Sequence, residues 1–238
     1  MNGDTKVDDS GRFRAALPTN VAVYSNEIMI AGFNAHVSPW LLAGIVQRES
    51  NAGLALTPVG PAGTGDVHPR PAGRRYGGYV VGPSGMPEDG QGWGRGLCQI
   101  DWGVHNDWCR ENEWSDALVN LNYAAQLLAG FFTFFAAPAG ASGVLVDKWR
   151  LNGLKDARGV VLVQGWAAKY GLAGLGPFVD PRPLSGEALV SAALAAYNAG
   201  QNGVLEAVAA GLPADAPTAG NNYASWILTR VNSWESQY

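Results

Sequence analysis

The chain has 238 residues, 47% hydrophobic and only 15% charged, which suits one sizeable buried core and excludes wholesale disorder. A formal net charge of −4 offers none of the basic stripe that nucleic-acid binding needs, so no nucleic-acid partner is expected. Cys98 and Cys109 are too few for a disulfide framework, and Cys98, in an apolar strip, reads as a buried free thiol.

The opening residues, 1–15, are polar and are expected to be flexible, ahead of a single domain over 16–238. They contain no positively charged segment followed by an apolar run, so no secretory signal is read. Between residues 21 and 35 the apolar positions fit a helix packed on one side. Ser38 as N-cap and Pro39 at the first helical position then open a second helix, whose apolar face is Leu41, Leu42, Ile45 and Val46. Glu49 falls near its C-terminal end, on a neighbouring face. Residues 57–92 are rich in proline and glycine and admit no long helix. A small hairpin is expected over 75–81, within an insertion at about 57–88. Ser115 is the expected cap of a long helix over 116–135. No apolar run reaches the roughly 18 residues that span a bilayer. Asn120, Asn122, Gln126 and Thr133 interrupt the richest stretch, 118–137, which reads as a core helix. A short helix is expected over 160–170. Ser185 opens another that ends at Gly200, and a helix of about 14 residues near Asn222 closes the chain. The fold class is mainly α in one domain.

Three strings carry chemistry. A carboxylate closing a hydrophobic helix before a glycine-rich turn places Glu49 where apolar surroundings favour the protonated form, as a general acid requires. The string DGQGWGRGLCQID (89–101) sets Trp93 and Gln99 between Asp89 and Asp101, with glycines that let backbone approach a ligand closely. An aromatic face, an amide and carboxylates are what a sugar site needs, and glycosidases commonly pair an acid with a second carboxylate. The string AYNAG (196–200) puts Tyr197 and Asn198 at a helix terminus. His36, His68 and His105 are scattered, without metal-ligand spacing, so no metal and no cofactor are expected.

Taken in order, RESNAG (48–53), GLCQID (96–101), NLNYA (120–124) with Leu128, AYNAG, and Thr218 with Asn222-Tyr223-Ala224 running to Arg230 resemble the goose-type lysozyme and soluble lytic transglycosylase superfamily. The resemblance covers roughly residues 20–135 and 185–234. It implies a lysozyme-like fold and cleavage of the β-1,4 bond between N-acetylmuramic acid and N-acetylglucosamine, with Glu49 protonating the leaving oxygen. It places Gln99, Tyr197 and Asn198 along the saccharide cleft, with Ser50 and Trp93 as further substrate-binding residues. Asp101 matches one of the two aspartates that position water in the goose-type branch. Asp89 matches the other with a one-residue shift, and Asp66 is a rival for that place. His105 stands where the family often has a histidine. The chain departs from the pattern in its insertion, in Cys98 for the usual Met, and in Asn222 for an Asp. The insertion is expected to overhang the cleft and to be removable without loss of the fold. Its arginines, Arg70, Arg74 and Arg75, read as a solvated basic loop, with contact to peptide-stem carboxylates as the alternative.

The expected reaction is inverting hydrolysis, with water positioned by Asp101 and Asp89. The alternative within the same chemistry is a lytic transglycosylase, in which the muramic 6-hydroxyl attacks and leaves a 1,6-anhydro end. Peptidoglycan glycan strands are the expected partner. Chitin oligosaccharides are the alternative substrate, and a glycan-binding or structural virion protein is the non-enzyme alternative. The protein is read as a monomer made in the cytoplasm that acts on the cell wall after release or non-classical export, as an endolysin or an effector would.

Overall fold

A computed structural model of the chain describes residues 9–76, 78–138, 154–155, 161–162 and 180–238. These residues are mostly helical, as the apolar periodicity predicts. They fall into two compact units where the sequence reads as one domain. One unit is the chain up to Gln126 with Thr229–Tyr238, and the other is Leu127–Leu228.

The first unit opens on helix α1 (Asp9–Ala16), most of which falls in the stretch read from the sequence as flexible. Phe13, Ala16 and Leu17 are all buried, the i, i+3, i+4 spacing that gives a helix one apolar face. The Phe13 ring lies edge-on to Trp40 at 4.5 Å between centroids. The helix expected over 21–35 is broken in two, α2 (Thr19–Ala22) and α3 (Ser25–Ala35). Helix α4 (Pro39–Ser50) starts where Ser38 and Pro39 predict. It buries every residue from Leu41 to Val46 and only then opens, at Gln47, Arg48 and Glu49. Asn51 ends it in the left-handed region, at φ 50°.

Two-residue strands follow: β1 (Thr64–Gly65), β2 (Arg75–Tyr76), β3 (Tyr79–Val80), β4 (Gly94–Arg95) and β5 (Ile100–Asp101). β1, β4 and β5 form an antiparallel sheet in that order. The small hairpin expected over 75–81 is present, Arg75 facing Val80 and Tyr76 facing Tyr79. The insertion is woven into the sheet, because its first part is strand β1. Trp93 N–H donates to the Asp66 carbonyl (3.1 Å), and Gly96 N–H to that of Gly63 (3.0 Å).

Asp101 caps α5 (Trp102–Glu111), its Oδ1 accepting from Val104 N–H at 3.1 Å. Asp116, not Ser115, caps α6 (Ala117–Ala136), since its carboxylate reaches Val119 N–H at 2.9 Å. By length and composition α6 could cross a membrane. Its buried residues Asn120, Leu121, Ala124, Ala125 and Leu128 nevertheless form one helical stripe, as in a core helix.

In the second unit, β6 (Leu154–Lys155) pairs with β7 (Val161–Leu162). Apart from 161–162, the helix expected over 160–170 lies outside the described residues. Arg182 and Asp180 form a buried ion pair, with Nη2 to Oδ2 at 2.7 Å. Helices α7 (Gly186–Ala199) and α8 (Gln201–Ala209) meet at Gly200, whose φ of 77° suits glycine. Helix α9 (Tyr223–Glu235) is capped from a distance. Asp215 accepts from Ala224 N–H (2.7 Å) and Ser225 N–H (2.9 Å).

Candidate functional site

Glu49 sits half-buried in the last turn of α4, at the point where the helix emerges from the core. Burial is the main cause that pushes the Cys98 thiol far up, and the negative charge of Glu49 adds to it. Cys98 is a buried free thiol, as expected, and so is Cys109. Ser50, beside Glu49, is fully buried. Its hydroxyl donates to the Val46 carbonyl (3.3 Å) and accepts from Gly53 N–H (2.9 Å). Ser50 thus shapes the helix end from within the core.

The β4–β5 turn is built around Gln99. Its backbone is left-handed, φ 50°, an uncommon and costly conformation for a non-glycine residue. Its Nε2 donates to the Gly96 carbonyl at 2.8 Å. The amide lies over Gly65 and Gly94, which face each other in register, and a Cβ on either would collide with Gln99 Oε1. Those two glycines leave room for an amide side chain, which remains partly accessible.

Asn120, from the start of the NLNYA string, fixes this turn from below. It is fully buried, accepts from Cys98 N–H at 2.9 Å and donates to the Arg95 carbonyl at 3.0 Å. Asn120→Leu keeps the side chain's reach but strands two buried backbone groups, each costing about 1–3 kcal/mol. Urea unfolding should show a loss of that order, and an unchanged midpoint would mean the turn holds without this clamp.

The aspartates part company. Asp89 Oδ1 accepts from Arg95 Nη2 at 2.9 Å and from Gln91 N–H at 3.1 Å. The fully buried Arg95 also lies over the Trp102 ring, 4.4 Å from its centroid. Asp89 therefore neutralises an interior cation, while Asp101 is engaged elsewhere. Asp66 is the aspartate that the fold brings to Asp101, through Arg70. Arg70 Nη2 lies 2.6 Å from Asp101 Oδ2 and 2.7 Å from Asp66 Oδ2, and its Nη1 lies 3.2 Å from Asp101 Oδ1. The guanidinium rests on Trp93 at 4.2 Å and on Tyr76 at 4.9 Å from the ring centroids. Burial alone would weaken this cation, but the hydrogen bonds to Asp101 and Asp66 outweigh it and hold it above its ordinary value. Trp93 itself is fully buried, with Tyr76 and Tyr79 at 6.1 and 6.0 Å. With its ring fully buried, Trp93 forms a floor for Arg70.

His105 accepts or donates through Nδ1 to the Tyr123 hydroxyl at 2.9 Å, and Tyr123 stacks on Trp108 at 4.0 Å. Burial is the main cause that lowers the His105 pKa, with Asp101 opposing. Between that lowered value and about 6.5 the unfolded chain binds more protons than the folded one, so stability falls as pH drops through this window. His105→Gln should flatten this part of the stability–pH curve, measured by urea midpoints. An unchanged slope would remove His105 as its source.

In the second unit, Tyr197 is half-buried and Asn198 exposed, both in the last turn of α7. Asn198 Oδ1 accepts from Ala219 N–H at 2.9 Å. No group of three or more His, Cys, Asp or Glu able to hold a metal occurs among the described residues. Arg70, Arg95 and Asp215 carry more of the arrangement than the sequence alone assigns to them, and the only prior signal was a charged residue in an otherwise Pro/Gly-rich or apolar stretch. Comparison of the chain with protein-family models and with curated proteins gives no match.

Proposed function

We propose that this chain is a lysozyme-like glycosidase that cleaves the β-1,4 bond between N-acetylmuramic acid and N-acetylglucosamine in peptidoglycan, with Glu49 as general acid. The observation that carries the reading is the place of Glu49, half-buried where the apolar helix α4 emerges from the core. It sets a carboxyl group at the mouth of a hydrophobic helix, and Gln99 stands partly accessible on a glycine-built turn of the same unit. In this reading Glu49 protonates the glycosidic oxygen as the C1–O bond breaks, and Gln99 engages sugar hydroxyls and acetamides.

A second reading concerns the nucleophile. Hydrolysis by inversion asks a carboxylate to take a proton from water. Asp89 is committed to Arg95, and both oxygens of Asp101 are engaged by Arg70. These contacts favour attack by the muramic 6-hydroxyl, which needs no second carboxylate and gains from its high effective molarity.

Purified cell walls incubated with the protein should lose turbidity, and mass spectrometry should find new glycan ends at muramic acid. Walls bound but left intact would favour the binding-protein alternative, and cleavage confined to stem peptides would end the glycosidase reading. Chitin oligosaccharides cut at a comparable rate would move the substrate class.

A further inference from the structure

We propose that the β2–β3 hairpin is a docking arm for an acidic peptide chain, with Arg74 gripping one of its carboxylates. The proposal goes beyond the cleavage reading and stands whether or not Glu49 cuts glycan.

Charge bookkeeping along the insertion comes first. From Val67 to Pro87 the chain holds no Asp or Glu, yet it holds Arg70, Arg74 and Arg75. The acids flanking this stretch each meet an arginine of their own: Asp66 with Arg70 at 2.7 Å, Glu88 with Arg110 at 2.7 Å and Asp89 with Arg95 at 2.9 Å. Arg70 is engaged by Asp66 and Asp101. Arg74 and Arg75 are exposed and have no ion-pair partner among the described residues. The hairpin therefore carries two uncompensated cations, although the whole chain has a net charge of −4. Screening decides which of these an approaching anion feels. Beyond a Debye length of about 8 Å at physiological salt the overall charge is largely hidden, so the local cations win.

Arg74 is held in place before any ligand arrives. Its N–H donates to the Pro71 carbonyl at 3.2 Å, and its own carbonyl accepts from Val81 N–H at 2.9 Å. Its guanidinium lies over the Tyr76 ring, 5.1 Å from the centroid, as residues two apart share one face of a strand. That contact restrains a long side chain, so less rotamer freedom is lost on binding. Tyr76 also carries Arg70, at 4.9 Å. The neighbour shows what such an arrangement takes: an arginine resting on this ring, its fork filled by carboxylates. Arg74 offers the same planar fork to solvent, and that fork matches a carboxylate through two parallel hydrogen bonds. Arg75 projects from the opposite face, beside its cross-strand partner Val80, which is 42% exposed. An extended acidic chain crossing the hairpin thus meets a cation on either face.

The test is fluorescence anisotropy of end-labelled poly-L-glutamate titrated with the whole chain. Wild type should bind, more weakly as sodium chloride is raised. Arg74→Ala should weaken binding about two- to fivefold, the range of an exposed ion pair, and the double variant with Arg75→Ala roughly tenfold. Both variants should melt with wild type, since neither side chain is buried. Arg74→Lys keeps the charge without the fork and should fall between wild type and Arg74→Ala. Arg14→Ala removes an exposed cation from α1 instead and should bind as wild type does. No rise in anisotropy, wild-type affinity in the double variant, or an equal loss in Arg14→Ala overturns the proposal. So does Arg74→Lys binding as tightly as wild type, or inorganic polyphosphate outcompeting poly-L-glutamate at equal charge. None of these readouts involves cleavage, so a failed titration leaves the glycosidase reading standing, and a failed wall assay leaves the docking arm standing.

Discussion

If Glu49 is the general acid of the proposed glycosidase, Glu49→Gln is expected to lower the rate of wall cleavage by about 10²–10⁴-fold, the usual worth of general acid–base help, while the protein stays folded. The substitution keeps the size and the hydrogen-bonding reach of the side chain and removes only the transferable proton. Folding should survive because α4 is anchored by Leu41–Val46 and Ser50, all buried, whereas Glu49 lies on the part of the helix that has emerged. Circular dichroism and the melting temperature should match wild type. Glu49→Asp sharpens the test: it retains the acid but draws it back along the side chain, and a displacement of about 1 Å can cost about 10²-fold. A folded Glu49→Gln protein that clears walls at near wild-type rate would remove the residue from the chemistry, whatever the cleft around it looks like.

How much of this was legible beforehand follows from which interactions are local. Helix α4 could be read to the residue because Ser38, Pro39 and the apolar period all lie within it, and the helix ending at Gly200 because a left-handed residue favours glycine. Asp116 rather than Ser115 as the cap of α6 is a shift of one residue, the ordinary error of end signals. The sheet gave no such signal. A two-residue strand is too short to show alternation, so β1 was hidden inside what reads as a loop. For the candidate site, residue types in a motif announce that a turn is special but not which side of it faces outward. Gln99 stands partly open on that turn while Trp93, six residues earlier, is buried beneath Arg70. The pairing of Arg70 with Asp101 joins positions 31 apart in sequence, and Asp215 caps a helix nine or ten residues downstream. Neither offset belongs to any local pattern.

Deleting residues 60–84 behind a short glycine bridge is expected to destroy the native packing of the first unit, contrary to the reading of that segment as removable. Shortening a loop changes its closure cost only slightly, about 0.6 kcal/mol per twofold change in length, so entropy cannot rescue the variant. The losses are in contacts. Strand β1 disappears and leaves β4 an unpaired edge, and the hydrogen bonds from Trp93 N–H to Asp66 and from Gly96 N–H to Gly63 go with it. At about 1 kcal/mol net for each hydrogen bond that is tolerable by itself. Uncovering Trp93 costs more. Its ring is fully buried, and Arg70, Tyr76 and Tyr79 that pack against it all lie in the deleted stretch. A tryptophan buries about 150–250 Å², worth about 4–6 kcal/mol at 25 cal/mol per Å², and uncovering even half of it is severe for a domain stable by about 5–15 kcal/mol. Near-ultraviolet circular dichroism of the variant should lose its tryptophan signal, and its thermal transition should become broad or vanish. The double variant Tyr76→Ala, Tyr79→Ala, which uncovers Trp93 but keeps β1, should melt cooperatively at a lower temperature. A deletion variant melting within a few degrees of wild type would show that the insertion stands outside the core and that the cover over Trp93 is dispensable.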